Sequence, residues 1–166
     1  ILIYIAMRFE WRLAVGAVSA LAHDVILTLG LFSALGLEFD LTVLAALLAV
    51  IGYSINDTVV VSDRVRETFR KYAKLTPTQV INRALTDTMS RTLITSLTTI
   101  LVLLALFFVG GQLIHGFATA LLFGVFVGTY SSIFVASSVA LSLGVSRDDL
   151  MPTEVEKEGA DQDPLQ

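Results

Sequence analysis

Long apolar runs, separated by short polar segments, dominate this chain. A helix needs about 20 mostly apolar residues to cross the roughly 30 Å of bilayer hydrocarbon. The run from Ile100 to Val109 contains no polar residue, which is typical of a helix that faces lipid. The pattern predicts an all-α membrane protein, a polytopic helix bundle. Its four predicted spans run from about Leu13 to Leu37, Leu41 to Val61, Arg91 to Val109 and Ile114 to Leu143.

The flanking segments differ in composition from this bundle, which we place at residues 8–143. Residues 1–7 are apolar and end at Arg8, so we expect them to be the end of a truncated span that begins before this chain. Residues 144–166 turn acidic and include Pro152 and Pro164. Such a composition predicts a disordered tail.

The central segment, residues 64–90, combines basic and apolar positions. Thr76 precedes Pro77, and this order of a cap and a first-turn proline predicts a helix start. We expect a cytoplasmic amphipathic helix, resting at the bilayer surface or against the inner ends of the spans. Its predicted apolar face consists of Val80, Ile81, Ala84 and Leu85.

Composition and charge exclude several classes of protein. Hydrophobic residues make up 55% of the chain and charged residues 16%, and the net charge of −4 does not suit a nucleic-acid partner. There is no cysteine, and the two histidines lie far apart, so we expect no metal site. Since no phosphate-binding Gly-x-x-x-x-Gly-Lys loop is present, any coupling energy should come from a partner or an ion gradient.

The basic residues predict an orientation, because lysine and arginine collect on the cytoplasmic side of a membrane. They occur before the first span, between the second and third spans, and after the fourth. The opposite turns, residues 38–40 and 110–116, contain none. Both ends of the chain should therefore face the cytoplasm.

Two acids lie within predicted spans, Asp24 in the first and Asp57 in the second. A charge at the bilayer centre costs from about 2.5 to over 10 kcal/mol, so such acids are functional candidates. Asp57 is the stronger candidate because its neighbours Ser54, Asn56 and Thr58 are polar and should face protein or water. Gly52 and Ser54 are small enough for another helix to approach closely.

Arg91, at the start of the third span, is the natural cation for Asp57. Burial disfavours a carboxylate and a nearby cation favours it, so an acid balanced between the two effects can load and release a proton. We therefore predict a proton relay of Asp57 and Arg91. The alternatives are that Asp57 stays protonated and bonds a neighbouring helix, and that Arg91 extends to the lipid headgroups. Helical spacing adds one hydroxyl stripe beside Arg91: Thr92, Thr95, Ser96 and Thr99.

Two further features admit more than one interpretation. His23 and Asp24 could form a second relay pair or a polar tether between spans. Gly124 and Gly128 form a Gly-x-x-x-Gly face, which is most simply a close helix contact.

Several strings together resemble the SecF family of protein-export subunits, in the resistance-nodulation-division superfamily. The string at 52–61 is the most specific of them, whereas a glycine motif alone would be weak. The strings are RFEWR at 8–12, AHDV at 22–25, GYSINDTVVV at 52–61, SRT at 90–92 and TSLTT at 95–99. Ser62 stands where an aromatic residue is expected, a small departure.

The resemblance implies half of a resistance-nodulation-division transmembrane domain, with the end of span 2 and spans 3 to 6 of a six-span subunit. It implies a non-enzymatic translocation subunit that uses the proton gradient, with no other cofactor, to assist late steps of protein export. Asp57 matches the family's intramembrane proton-pathway acid, and Arg91 matches its arginine on the next span. The implied partners are SecD, the SecYEG translocon, YajC, the exported unfolded polypeptide and the lipid bilayer. The implied location is the plasma or inner membrane of a bacterial or archaeal cell.

Three other functions compete with this one. Half of a proton-driven small-molecule or lipid exporter of the same superfamily would carry similar spans. An intramembrane aspartyl protease also needs two acids, but Asp24 and Asp57 lack the Gly-x-Gly-Asp and Tyr-Asp contexts of that class. A purely structural scaffold would use neither acid for proton transfer.

Overall fold

The computed structural model describes residues 11–72 and 74–146, and these residues form five helices. Four segments are long and apolar enough to cross a membrane, the last combining two helices as Gln112–Ser142. The predicted helical membrane bundle is therefore confirmed. The helices are α1, Trp11–Leu35; α2, Leu41–Lys71; α3, Pro77–Val109; α4, Gln112–Ile133; and α5, Val135–Ser142. The predicted end of a span at 1–7 and nearly all of the predicted tail lie outside the described residues.

Local sequence explains where these helices begin and end. α1 ends at Gly36, whose φ of 61° lets Leu37 N–H donate to Phe32 C=O over 2.9 Å. α2 begins after Asp40, whose carboxylate accepts the Val43 N–H over 2.8 Å. α3 begins with a capping box in which the side chains of Thr76 and Gln79 each accept the other residue's backbone N–H.

The central segment is not a separate helix, which differs from the sequence prediction. Residues 64–71 complete α2, and residues 77–90 are the first turns of α3. At about 1.5 Å per residue, the 31 residues of α2 and the 33 residues of α3 extend well beyond the roughly 30 Å hydrocarbon layer. Both helices therefore project past the bilayer at one end of the bundle, here called the basic end, where α2 finishes and α3 starts.

A stripe of small residues brings α4 against α2, and these two helices form the most extensive helix contact. The stripe repeats every four residues, so its members share one face of α4. Gly116 faces Val43, Gly124 faces Val50 and Gly128 faces Ser54. Ala120, which is fully buried, completes it. The two helices therefore run parallel in a fixed register with closely spaced backbones.

Apolar clusters close the bundle at both ends. At the basic end, residues from α1, α2, α3 and α5 pack together, and they include the predicted apolar face Val80, Ile81 and Ala84 with Leu85 beside them. At the other end, Phe32, Val43, Ala46 and Ala120 form a smaller cluster. The interior also contains buried polar residues that belong to neither cluster, among them Asp24, Ser54, Asp57 and Ser96.

The outer surface is apolar, as expected for a protein whose solvent is lipid. Leu97, Leu101 and Val102 of α3 are 60%, 59% and 68% exposed. Side chains of this kind are seldom displayed in rows on a water-soluble monomer. The exposed row supports the membrane assignment independently of hydropathy.

Candidate functional site

Asp24 of α1 is fully buried, and neighbouring groups contact both oxygens of its carboxyl group. Ser54 of α2 donates its hydroxyl to Asp24 Oδ2 over 2.6 Å. His23 Nδ1 lies 3.2 Å from Asp24 Oδ1. Of the two interpretations offered for His23 and Asp24, this geometry favours the polar tether, because Asp24 links two spans.

Asp57 of α2 has different surroundings. Its side chain lies inside the bundle, with the residue 4% exposed, and Oδ2 is buried without a hydrogen-bond partner among the described residues. Buried polar atoms are nearly always hydrogen-bonded, so an unpaired carboxyl oxygen in a membrane-spanning helix calls for a functional explanation.

Arg91 lies close enough to Asp57 for its positive charge to act on the carboxyl group. Arg91 is itself exposed, whereas Asp57 is buried. Arg91 also lines a polar cleft of about 370 Å³ at the basic end, together with charged residues of α2 and α3. Asp57 does not line this cleft. The other charged residues of the cleft are Asp63, Arg64, Glu67 and Asp87.

The predicted hydroxyl stripe of α3 divides into two pairs. Thr92 and Ser96 are buried, with exposures of 1% and 3%. Thr95 and Thr99 are only half-buried, and their hydroxyls donate to carbonyl groups of their own helix. Thr92 and Ser96 therefore form the buried part of the predicted stripe, and Thr95 and Thr99 lie at its half-buried margin.

Ser96 joins three helices. Its hydroxyl oxygen accepts from Tyr53 of α2 over 3.1 Å and lies 2.7 Å from Thr129 Oγ1 of α4. Tyr53 and Thr129 were not among the predicted site residues. The sequence feature that could have identified them is their position: Tyr53 directly precedes the predicted residue Ser54, and Thr129 directly follows the predicted residue Gly128.

The other predicted residues of α2 lie on two different faces of the helix, one buried and one exposed. Thr58 is buried and donates its hydroxyl to Ser54 C=O over 2.9 Å. Asn56 and Gly52 are exposed, and no atom of the described chain lies within 4 Å of where a Gly52 Cβ would be. The expected helix packing at Gly52 does not occur among the described residues, because that side of α2 points away from α1, α3 and α4.

Gly124 and Gly128 lie at the contact with α2. A Cβ at Gly124 would overlap Val50, whereas a Cβ at Gly128 would lie 3.4 Å from Ser54 Cβ and 3.5 Å from Asp24 Oδ2. Gly128 therefore lets α4 pack directly against the Asp24 and Ser54 pair.

These contacts form a belt of side-chain hydrogen bonds at one level of the bundle, here called the polar belt. Asp24 and Ser54 link α1 to α2, and Tyr53, Ser96 and Thr129 link α2 to α3 and α4. The belt supplies no metal site, because no group of three or more His, Asp or Glu that could hold a metal occurs within the described part of the chain. The two acids do not form a carboxyl dyad that shares a proton, because the side-chain partners of Asp24 among the described residues are Ser54 and His23.

Comparison with known proteins places the chain in a family. A family model described as "Protein export membrane protein SecD/SecF, C-terminal" matches residues 1–146. The protein translocase subunit SecF of Vibrio alginolyticus is 62% identical over 165 residues, which cover 99% of this chain and 52% of the relative. The SecF of Escherichia coli O157:H7 is 56% identical over 162 residues, which cover 98% of this chain and 50% of the relative.

The fold also matches a solved structure. The crystal structure of SecDF, a translocon-associated membrane protein from Thermus thermophilus, gives a TM-score of 0.83 at 48% identity, over 86% of this chain and 20% of that chain. This chain spans about half the length of the SecF relatives it matches. From the family match and these identities, the chain belongs to the SecD/SecF C-terminal family of protein-export membrane proteins.

Proposed function

We propose that this chain is the C-terminal transmembrane part of a SecF-type subunit that couples the proton gradient to late steps of protein export. Asp57 accepts and releases the proton, and Arg91 adjusts its ionisation. The names of its relatives, protein translocase subunits SecF and SecDF, support the export role. The fused SecDF relatives support SecD as the partner.

The observation that carries the proposal is the contrast between the two intramembrane acids. Both oxygens of Asp24 have a close neighbour, whereas Asp57 Oδ2 is buried and has no hydrogen-bond partner among the described residues. An acid without fixed partners gains or loses a proton with little disruption of its surroundings, and the charge of Arg91 compensates the ionised form. Asp57 is therefore the better proton acceptor.

The cleft at the basic end gives a route for the proton. Its lining is charged and includes Arg91, which supports this end of the bundle as the side from which water reaches Asp57. The basic end faces the cytoplasm, as the distribution of lysine and arginine indicates. Protonation of Asp57 weakens its attraction to Arg91 and changes the packing of α2 against α3, which a full-length subunit transmits to its other parts.

The assembly extends beyond this chain. SecD completes the transmembrane domain, and the SecYEG translocon, with YajC, delivers the exported unfolded polypeptide. The exposed side of α2 that carries Gly52 and Asn56 suits contact with a partner span, since small residues let helices approach closely. No protein cofactor is needed, because the coupling ion is the proton.

The test is Asp57→Asn in the full-length subunit with SecD. The variant removes the titrating group and keeps the size of the side chain. We expect it to insert normally and to lose proton-dependent export, measured in vesicles with and without an imposed proton gradient. The matched control is Asp40→Asn, the same change at an exposed helix cap outside the spans. Normal gradient-dependent export by Asp57→Asn would refute the proposal.

A further inference from the structure

The proposed relay residues lie on α2 and α3. On each of these helices the polar belt lies about one helical turn from the relay residue. On α2, Tyr53 and Ser54 precede Asp57 by four and three residues. On α3, Ser96 follows Arg91 by five residues and Thr92 by four. Since α2 and α3 run in opposite directions, the belt lies on the same side of Asp57 and Arg91 in both helices. Any rotation or sliding of α2 at the belt therefore moves Asp57 relative to Arg91.

Two consecutive residues of α2 bond two different neighbouring helices. Ser54 donates to Asp24 of α1, and Tyr53 donates to Ser96 of α3. Bonds to two different neighbours fix the rotation of a helix about its axis, which apolar packing alone fixes weakly because similar side chains can exchange places. Thr129 bonds the same Ser96 hydroxyl from α4.

Asp24 is the anchor of this arrangement. It is fully buried in a span, where a carboxyl group is costly unless its oxygens have partners. Ser54 and His23 supply those partners, and Gly128 of α4 packs beside the Asp24 and Ser54 pair. His23 is the titratable group beside Asp24, and its side chain is 31% exposed. α2 and α4 present Ser54 and Gly128 to the Asp24 carboxyl, neither of them charged.

We propose that Asp24 is a positioning residue for proton coupling: by accepting the Ser54 hydroxyl it holds α2 in the rotation that sets the position of Asp57 relative to Arg91. This inference rests on the proposed function of Asp57. It requires Asp24 to be a hydrogen-bond acceptor and does not require it to exchange a proton. The chemical requirement at position 24 therefore differs from that at position 57.

Substitutions in the full-length subunit with SecD can distinguish a role of Asp24 as a hydrogen-bond acceptor from a role as a titrating acid. Asp24→Asn keeps an oxygen that accepts from Ser54 and cannot titrate, whereas Asp24→Leu keeps the approximate size and removes the acceptor. Ser54→Ala removes the donor and Ser54→Thr keeps a hydroxyl. The matched control is Ser142→Ala, whose hydroxyl is exposed and bonds only Ser138 C=O of its own helix.

The readouts are the amount of inserted protein and the pH profile of gradient-driven export in vesicles. We expect Asp24→Leu and Ser54→Ala to insert, to lose gradient-driven export by on the order of tenfold to a hundredfold, and to shift its pH profile, because displacements of about 1 Å cost that much in a reacting pair. Asp24→Asn, Ser54→Thr and Ser142→Ala should keep the wild-type profile. The double variant Asp24→Leu with Ser54→Ala should be no worse than either single variant, since both remove one bond.

Each contrary result has its own meaning. Loss of coupling in Asp24→Asn equal to that in Asp57→Asn would overturn positioning and make Asp24 a proton carrier. An unchanged pH profile in inserted Asp24→Leu and Ser54→Ala, with Asp57→Asn inactive, would overturn the inference and leave the proposed function standing. Normal export by Asp57→Asn would instead remove the proposed function itself.

Discussion

Gly124 of α4 lies against Val50 of α2 so closely that a Cβ on the glycine would overlap the valine side chain. Val50 is fully buried, and a β-branched side chain has few alternative rotamers. The contact lies one turn from that of Gly128 with Ser54, in the same parallel register. It therefore fixes the height of α4 relative to the helix that carries Asp57.

Gly124→Ala should destabilise the bundle by about 1–3 kcal/mol, because the added methyl group forces Val50 or the helix axis to move. The measurement is thermal unfolding of the purified protein in detergent. Gly128→Ala is the comparison on the same helix, since its Cβ would meet atoms at ordinary contact distances of 3.4 Å and beyond. Equal effects at the two glycines would contradict the packing described here.

Gly16→Ala should also destabilise the bundle, by disrupting the contact of α1 with α5. A Cβ at Gly16 would lie 2.6 Å from the backbone oxygen of Ala136, and a backbone atom cannot move aside as a side-chain tip can. We expect a loss of about 1–3 kcal/mol in the same unfolding measurement. Gly30→Ala, on the same helix with nothing within 4 Å, is the control, and a loss of stability there as large would count against the interpretation.

Asp40 should make the start of α2 sensitive to acid. Its pKa lies below the ordinary value of 3.8, because the Val43 backbone N–H and then the Thr42 hydroxyl donate to the carboxylate. A lowered folded-state pKa means that the stabilisation is complete above the unfolded-state value and is lost as the pH falls below 3.8 through the folded-state value.

The measurement for Asp40 compares unfolding of the wild type and Asp40→Asn across this acid range. Asparagine also caps helices but does not titrate, so its cap persists at low pH. The advantage of the wild type over the variant should shrink as the pH falls. A pH-independent difference would show that the Asp40 carboxylate does not act through its charge.

The ion pair between Arg64 and Asp87 should stabilise the basic end. Arg64 donates to Asp87 Oδ2 of α3 from Nη2 over 2.7 Å and from Nε over 3.2 Å, and to Glu67 of its own helix over 2.6 Å. Asp87→Asn should lower the unfolding temperature more than Glu67→Gln, because only the first pair joins two helices. Both side chains of that pair are partly exposed, so added salt should reduce the difference. A larger decrease in unfolding temperature from Glu67→Gln than from Asp87→Asn would contradict the stabilising role of the Arg64 and Asp87 pair.

Sequence patterns located the spans, since apolar runs of sufficient length leave few alternatives in lipid. They also indicated that a helix starts at Pro77 and that Val80, Ile81 and Ala84 form the apolar face of this helix. Both features could be predicted because helix caps and helical spacing depend only on neighbouring residues in the sequence. The continuity of α3 from Pro77 through Arg91 was missed. Polar residues between two apolar segments suggest a break, but nothing local forces one, and tertiary packing of the first turns against α1 and α2 keeps the helix straight through.

The candidate site was likewise determined partly by the sequence and partly by the tertiary structure. Residue type and depth in a span marked Asp24 and Asp57 as unusual, because lipid makes any acid costly. The arrangement of helices alone decided that Asp24 has Ser54 and His23 as partners while Asp57 Oδ2 has none, that Ser96 enters the interior and Thr95 does not, and that Gly52 faces outward. The sequence of a single helix gives the direction of each side chain about the helix axis. Which neighbouring helix lies in that direction depends on the packing of all the spans.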